Sequence, residues 1–313
     1  MKSTLLAGLA ALCAMPAYAQ EMRTITDHSG YEVTYPVAPQ RIVSLHDWTT
    51  TVMAHELGAN LIGSSGRLDN DGNYFIRSAR ELYGLGFDQI ELASVHGDLD
   101  MERIATLKPD LIITNVGDTL EYRDQLAQIA PTIMFEPMNG RPPMENYAEF
   151  ADWLGEGDRF NELKAAYDAR IAETKGRFTI DGRAPSYIAI MPNMESGEIR
   201  VFRNYGAQST VLEDLGFTHG AIMDEVPEGR QDANFSPEIV GRLDTDYIFM
   251  THITDRGETR ESLMAQLDEI APGYRDFVPA AQADRFVSMS RFHVYPTTFA
   301  AMNYVLEQLD TLQ

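Results

Sequence analysis

The chain has 313 residues, enough for two lobes of about 130–150 residues each. Its 44% hydrophobic and 23% charged residues are those of an ordinary globular protein, which excludes collagenous, low-complexity and disulfide-stapled scaffolds. A net charge of −22 disfavours a nonspecific grip on phosphate backbones or anionic membrane surfaces, so nucleic acid is not expected, and with no run of about 20 uninterrupted apolar residues after the first 19 neither is stable membrane insertion.

Lys2, the apolar stretch Leu5 to Met15 and the small-x-small triplet Ala17-Tyr18-Ala19 read as an export signal, cleaved after Ala19. Residues 1–19 are therefore set aside from the fold. The only cysteine, Cys13, falls in this stretch, behind a Leu12 that suits a lipoprotein signal poorly. Export without disulfides points to a periplasmic location.

Beyond the signal, Asp27-His28-Ser29-Gly30 precedes the alternating run Tyr31 to Tyr35, a hairpin pattern. Short apolar runs at Arg41–Leu45, Asn60–Ser64, Asp110–Thr114 and Thr132–Phe135 then predict buried strands. Helical stretches at Thr49–Leu57, Tyr74–Leu82, Leu99–Leu107 and Leu120–Ile129 separate them. This alternation predicts a mainly parallel sheet flanked by helices. After a helix at Met144–Leu154, Gly155-Glu156-Gly157 breaks the chain before a long charged helix at Asp158–Arg177, read as a strut spanning two lobes.

The second half repeats the pattern, with strands at Ser186–Met191, Glu198–Phe202, Asp246–Thr251 and Arg285–Met289. Helices are predicted at Ala207–Leu215, Ser236–Arg242, Arg260–Ile270 and Pro296–Leu312. The expected architecture is α/β with an N-terminal lobe over 20–154, an inter-lobe helix over 155–178 and a C-terminal lobe over 179–313.

Catalytic motifs are absent. Gly63-Ser64-Ser65-Gly66 lacks the spacing of a nucleophile elbow, and Gly84-Leu85-Gly86 has no third glycine to open a dinucleotide site. The seven histidines include no His-x-His or His-x3-His pair, so a metal site would have to form by convergence of loops. His46, His252 and His293 stand out because each lies at or just after the carboxyl end of a predicted strand, where open α/β sheets bind ligands.

Several strings taken in order resemble one family. Pro39-Gln40-Arg41-Ile42-Val43-Ser44-Leu45 resembles its first core strand, and Leu99 to Ile113 its most recognisable helix-strand unit. Ser209 to Phe217, Ser236-Pro237-Glu238-Ile239-Val240 and Asp246-Tyr247-Ile248-Phe249 continue the likeness through the second half. The family is that of periplasmic iron-siderophore ABC-transporter substrate-binding proteins, which also contains cobalamin and haem binders. The resemblance implies two lobes bridged by one rigid helix, a ligand held between them, a modest closure and no catalytic cofactor. It also implies that Glu102 and Glu238, each in the first turn of a predicted helix, dock onto arginines of an inner-membrane permease.

The loops at the strand ends carry arginine and aromatic residues although the chain is strongly acidic, which points to an anionic, partly aromatic ligand such as a ferric siderophore. Arg203 and Arg200 are the first candidates for the charge contact, with Arg67 and Arg256 next. Trp48, Tyr205, His46 and His252 are further candidates for the ligand wall, and His293 and Tyr295 for direct contact with iron. A haem or corrinoid ligand is the alternative. A zinc or manganese site needs three or four of His46, His252, His293 and nearby carboxylates to converge. An exported hydrolase with a dispersed site is a further alternative, and a monomer is expected.

Overall fold

The computed structural model describes residues 20–312, so the expected signal over 1–19 lies outside the described residues. Strands β1 (Met22–Thr26) and β2 (Glu32–Pro36) form the antiparallel hairpin that the Asp27–Gly30 turn predicts.

The first sheet contains β3 (Ile42–Ser44), β4 (Leu61–Leu68), β5 (Tyr74–Phe75), β6 (Glu91–Val95), β7 (Leu111–Asn115) and β8 (Thr132–Phe135). Their order is β5-β4-β3-β7-β8, with β6 also paired to β4. All pairings are parallel except β4 with β5. Ile42, Val43, Leu111, Ile112 and Ile133 are buried, as expected where helices cover both faces of a parallel sheet.

The second sheet contains β9 (Ser186–Asn193), β10 (Glu198–Phe202), β11 (Thr218–His219), β12 (Asp232–Phe235), β13 (Tyr247–His252) and β14 (Phe286–Ser290), ordered β12-β10-β9-β13-β14 with β11 on β9. Strands β9, β13 and β14 run parallel, whereas β10 is antiparallel to both of its neighbours. The α/β two-lobe architecture is thus present, with more antiparallel pairing in the second sheet than the sequence pattern implies.

Between the sheets in the chain runs the helix Gly157–Thr174, whose 18 residues extend about 27 Å. It buries Phe160, Tyr167 and Thr174, one residue every seven, and leaves its charged face to solvent. The final helix, Phe299–Asp310, packs along it. There Phe299 meets Tyr147, Phe160 and Tyr167 at ring-centroid distances of 5.6, 5.4 and 6.1 Å. One apolar cluster consequently runs without interruption from the first sheet through the long helix to the second sheet.

Three expected helices differ. Tyr74–Leu82 divides into strand β5 and a short helix Ala79–Tyr83, because Phe75 pairs with Arg67 and Ser78 turns the backbone to φ +61°. Leu120–Ile129 becomes a 3-10 turn, Leu120–Tyr122, followed by the helix Arg123–Ala127. Ser236–Arg242 is a 3-10 helix starting at Pro237. Among the described residues, no helix is long and apolar enough to cross a membrane.

Candidate functional site

The parallel strands of the first sheet end side by side, and their carboxyl-terminal loops carry the polar groups. His46, Asp47 and Trp48 follow β3, Arg67 ends β4, His96 follows β6, and Asp118 lies in a short helix after β7. Opposite them, Ile253 follows β13 and Arg291 follows β14. Carboxyl-end loops of this kind are where open α/β sheets hold ligands.

Two cavities lie between the halves of the chain. The smaller, of about 280 Å³, is walled by Trp48, Arg67 and Arg77 from the first half and by Arg256, Arg291 and Phe292 from the second. The larger, of about 450 Å³, includes Thr49, Phe135 and Arg141 on one side and Arg203, Arg230 and Tyr295 on the other. Trp48 stacks on Tyr295, so this aromatic pair stands between the two. Gly206 makes the approach possible: a Cβ there would lie 1.8 Å from the Tyr295 carbonyl oxygen, and its φ is +53°.

The electrostatics of the smaller cavity invert those of the whole chain. Four arginines line it against two aspartates, Asp69 and Asp255. Both acids are engaged: Asp255 pairs with Arg80 at 2.7 Å, and Asp69 accepts the backbone N–H groups of Asp71 and Asn73. Beneath the wall, Arg77 donates to both oxygens of the buried Asp47, at 2.8 and 2.7 Å. Burial alone would push Asp47 upward, but the Arg77 hydrogen bonds and charge outweigh it and hold the carboxyl below its ordinary range. Arg77 also lies over the Trp48 ring, 4.0 Å from its centroid, with Arg291 at 5.1 Å. The Nε atoms of Arg67 and Arg291 and the Nε1 of Trp48 are buried without a hydrogen-bond partner. Guanidinium groups stay protonated, so the four arginines give the cavity wall a fixed positive charge that suits anionic oxygens.

Of the residues expected at a site, the structure brings Trp48, Arg67 and Arg256 onto the smaller cavity and Arg203 and Tyr295 onto the larger. Tyr205 requires a correction as a ligand wall. It is 1% exposed, its oxygen accepts the Thr251 hydroxyl, and its ring meets Tyr295 edge-on, so it supports the wall from within the core. Arg200 lies on β10 and pairs with Asp232 at 3.6 Å, outside both cavities. His252 bonds to Ser288, and it too lies outside both cavities.

His293 and Tyr295 are not turned to a common point. His293 stacks on Tyr304 at 4.3 Å, while Tyr295 lies on Trp48 and donates its hydroxyl to Gln231. Burial pushes His293 below and Tyr295 above their ordinary values. His46 is buried beside Asp118, not in either cavity wall. The convergence of His46, His252 and His293 that a zinc or manganese site would need is replaced by His46, His96 and Asp118. Glu102 and Glu238 are both exposed, each in the first turn of its helix.

Sequence reading passed over His96, Asp118, Arg141 and Arg230. Asp118 is a single polar residue in a short helix and the other three lie in loops, and only strand pairing or lobe packing reveals their neighbours. The one available signal is position, since His96 and Asp118 both closely follow β-strands of the parallel sheet.

Residues 76–291 match the family model described as periplasmic binding protein. The chain is 26% identical to a probable siderophore-binding lipoprotein, YfiY, of Bacillus subtilis, over 76% of this chain and 72% of that one. It is 24% identical to the Fe(3+)-citrate-binding protein YfmC of the same organism, over 74% and 69%. Among solved structures, SirA of Staphylococcus aureus in complex with staphyloferrin B superposes with a TM-score of 0.72 at 17% identity, covering 93% of this chain and 98% of that one. The petrobactin-binding protein YclQ of Bacillus subtilis gives 0.70 at 19% identity, with 94% and 99% covered. With more than two thirds of its length matched and the two-lobe fold shared, the chain belongs to the periplasmic binding protein family.

Proposed function

We propose that the protein is a periplasmic receptor that captures an anionic ferric-siderophore complex between its lobes and delivers it to an inner-membrane ABC importer. The observation that carries this reading is the smaller cavity, where four arginines and the Trp48 face meet in a chain of net charge −22. Planar guanidinium groups bind carboxylate or catecholate oxygens in pairs and lie flat on aromatic rings, which suits a chelate with a negative shell. The siderophore and ferric-citrate names of the relatives agree with that chemistry.

In this reading residues 20–154 and 179–313 are the lobes and 155–178 the connecting strut. The apolar cluster shared by both halves and the long helix favours a small closing movement over a wide hinge. Glu102 and Glu238 are the docking points for the permease, their exposed carboxylates free to meet arginines in a bidentate fashion. The chain acts as a carrier, and its cargo is iron in a chelate.

The test compares Arg67→Ala and Arg291→Ala with the parent protein in titrations of ferric citrate and a ferric catecholate. Each substitution is expected to weaken the bound chelate about tenfold or more and to flatten the dependence on salt. Affinities within a factor of two of the parent for every anionic chelate would defeat the assignment.

A further inference from the structure

The cavities on either side of the Trp48–Tyr295 stack differ in charge. The smaller carries four arginines, while its two aspartates are spent on partners within the protein. In the larger, Arg141, Arg203 and Arg230 stand beside Glu213, Asp224 and Glu228, so the formal charges of its wall cancel. Arg141 is bonded to Glu149, and Arg203 lies 3.9 Å from Asp224. The same wall contains Met53, Phe135, Pro137, Met138 and Pro143. What it offers a ligand is apolar surface with no net charge.

The larger wall is built before any ligand arrives. Asn146, 1% exposed, and Asn139 exchange hydrogen bonds at 3.1 and 2.8 Å, and Asn146 also donates to the Pro137 carbonyl at 3.2 Å. Asn139 Oδ1 further accepts the Arg141 backbone N–H at 3.1 Å. The loop from Pro137 to Arg141 is therefore fixed by its own bonds, yet Met138 on it is 49% exposed. A fixed loop that holds apolar surface beside a cavity loses little freedom when a ligand covers it.

Size relates the two cavities. At about 280 Å³ the smaller falls below the roughly 300–1,000 Å³ of sites that enclose a small organic molecule, and with the 450 Å³ of the larger the cleft lies well inside that range. The partition is lightly held: Trp48 Nε1 has no hydrogen-bond partner, and the Tyr295 hydroxyl has Gln231 at 3.3 Å. The rings are joined by their stack, and a planar ligand group laid on either face restores that contact.

We propose that the cargo is a chelate with two unlike ends. Its anionic iron-binding end lies on Arg67, Arg256 and Arg291 in the smaller cavity, and a neutral, partly apolar arm passes the Trp48–Tyr295 pair into the larger one. This inference rests on the receptor reading for the iron-binding end and adds the arm. A chelate without an arm fills only the first part of the cleft.

The experiment titrates the signal-free protein with two ferric bis-catecholates of equal charge, one plain and one carrying a neutral hexylamide arm on its linker. The armed complex is expected to bind at least about tenfold more tightly. Met138→Asp, at an exposed position that folding does not depend on, is expected to bring the two affinities to within about a factor of two of each other. Arg67→Ala is expected to weaken both complexes and keep their ratio. Equal affinities for the two complexes in the parent, or a ratio that Met138→Asp leaves unchanged, would overturn the proposal. Binding of the plain complex beside either result leaves the receptor reading intact, whereas binding of neither complex contradicts both.

Discussion

Trp48 lies nearly parallel to Tyr295, with ring centroids 3.8 Å apart and planes inclined by 23°, so that one side chain from each half of the chain closes the middle of the cleft. Stacking of this kind contributes about 0.5–1.5 kcal/mol beyond burial. The remaining tryptophan, Trp153, is buried in the apolar cluster and lines neither cavity. Ligand-dependent fluorescence should therefore come from Trp48. Trp48→Phe is expected to abolish quenching by a bound chelate and Trp153→Phe to preserve it; the opposite pattern would place the ligand elsewhere.

Asp47 and Arg77 form a buried pair whose value lies in mutual compensation. Arg77→Ala strands a carboxylate with 0% exposure, and a loss of about 3–5 kcal/mol in urea unfolding is expected. Arg77→Lys, which keeps the charge but not the two parallel hydrogen bonds, should recover part of it. A loss below about 1 kcal/mol for Arg77→Ala would mean that Asp47 finds another partner.

Glu56 ties the two halves together on the side of the last helix. Its carboxylate accepts the N–H groups of Phe299 and Ala300 at 2.8 and 2.7 Å, and the hydroxyls of Tyr147 and Tyr83 at 2.7 and 2.9 Å. A negative charge at a helix start is favourable, and a glutamine has only one oxygen to offer four donors. Glu56→Gln is expected to cost about 2–3 kcal/mol in chemical unfolding. An unchanged midpoint would show that the carboxylate does not bind the helix start in solution.

The Arg183–Asp246 pair carries a pH signature. Two hydrogen bonds from Arg183, joined by those of Ser186, hold the Asp246 carboxyl down to about 2. A carboxyl depressed in the folded state contributes stability that is complete above its unfolded value and disappears as pH falls through the folded one. Arg183 is more than half exposed, so solvent reduces the contribution to about 1–2 kcal/mol. Asp246→Asn should therefore be less stable than the parent by that amount at pH 6, with the gap closing between about pH 4 and 2. A gap independent of pH would remove the ion pair from the explanation.

Legibility in the sequence followed the physics of each element. Runs such as Asp110–Thr114 and Thr132–Phe135 are rich in apolar residues because both sheet faces are covered, and the structure makes strands β7 and β8 of them. Strand β6 escaped notice because Glu91 and the partly exposed ends of Glu-Leu-Ala-Ser-Val dilute its apolar pattern. Tyr74 and Phe75 fit helical spacing, yet the Asp69 turn folds them back onto β4. At the site, arginine and aromatic residues in the loops were visible as composition, and Arg67, Arg256, Arg203 and Trp48 reach the cavities. Tyr205 was not distinguishable from them, since its burial depends on the packing of Phe202 and Thr251 around it. The meeting of His46, His96 and Asp118 depends on the order of strands β3, β6 and β7 in the sheet, which no local pattern encodes.

The central claim is that the cleft selects an iron chelate, and the most direct measurement is fluorescence titration of the signal-free protein with ferric catecholate, hydroxamate and citrate complexes, haemin, cobalamin and Zn²⁺. Each chelator is titrated in parallel without its iron. Saturable, submicromolar quenching by one anionic ferric chelate, absent with its iron-free form, is the predicted result. Silence toward every ferric chelate, or tight binding of haemin or Zn²⁺ alone, would contradict the account.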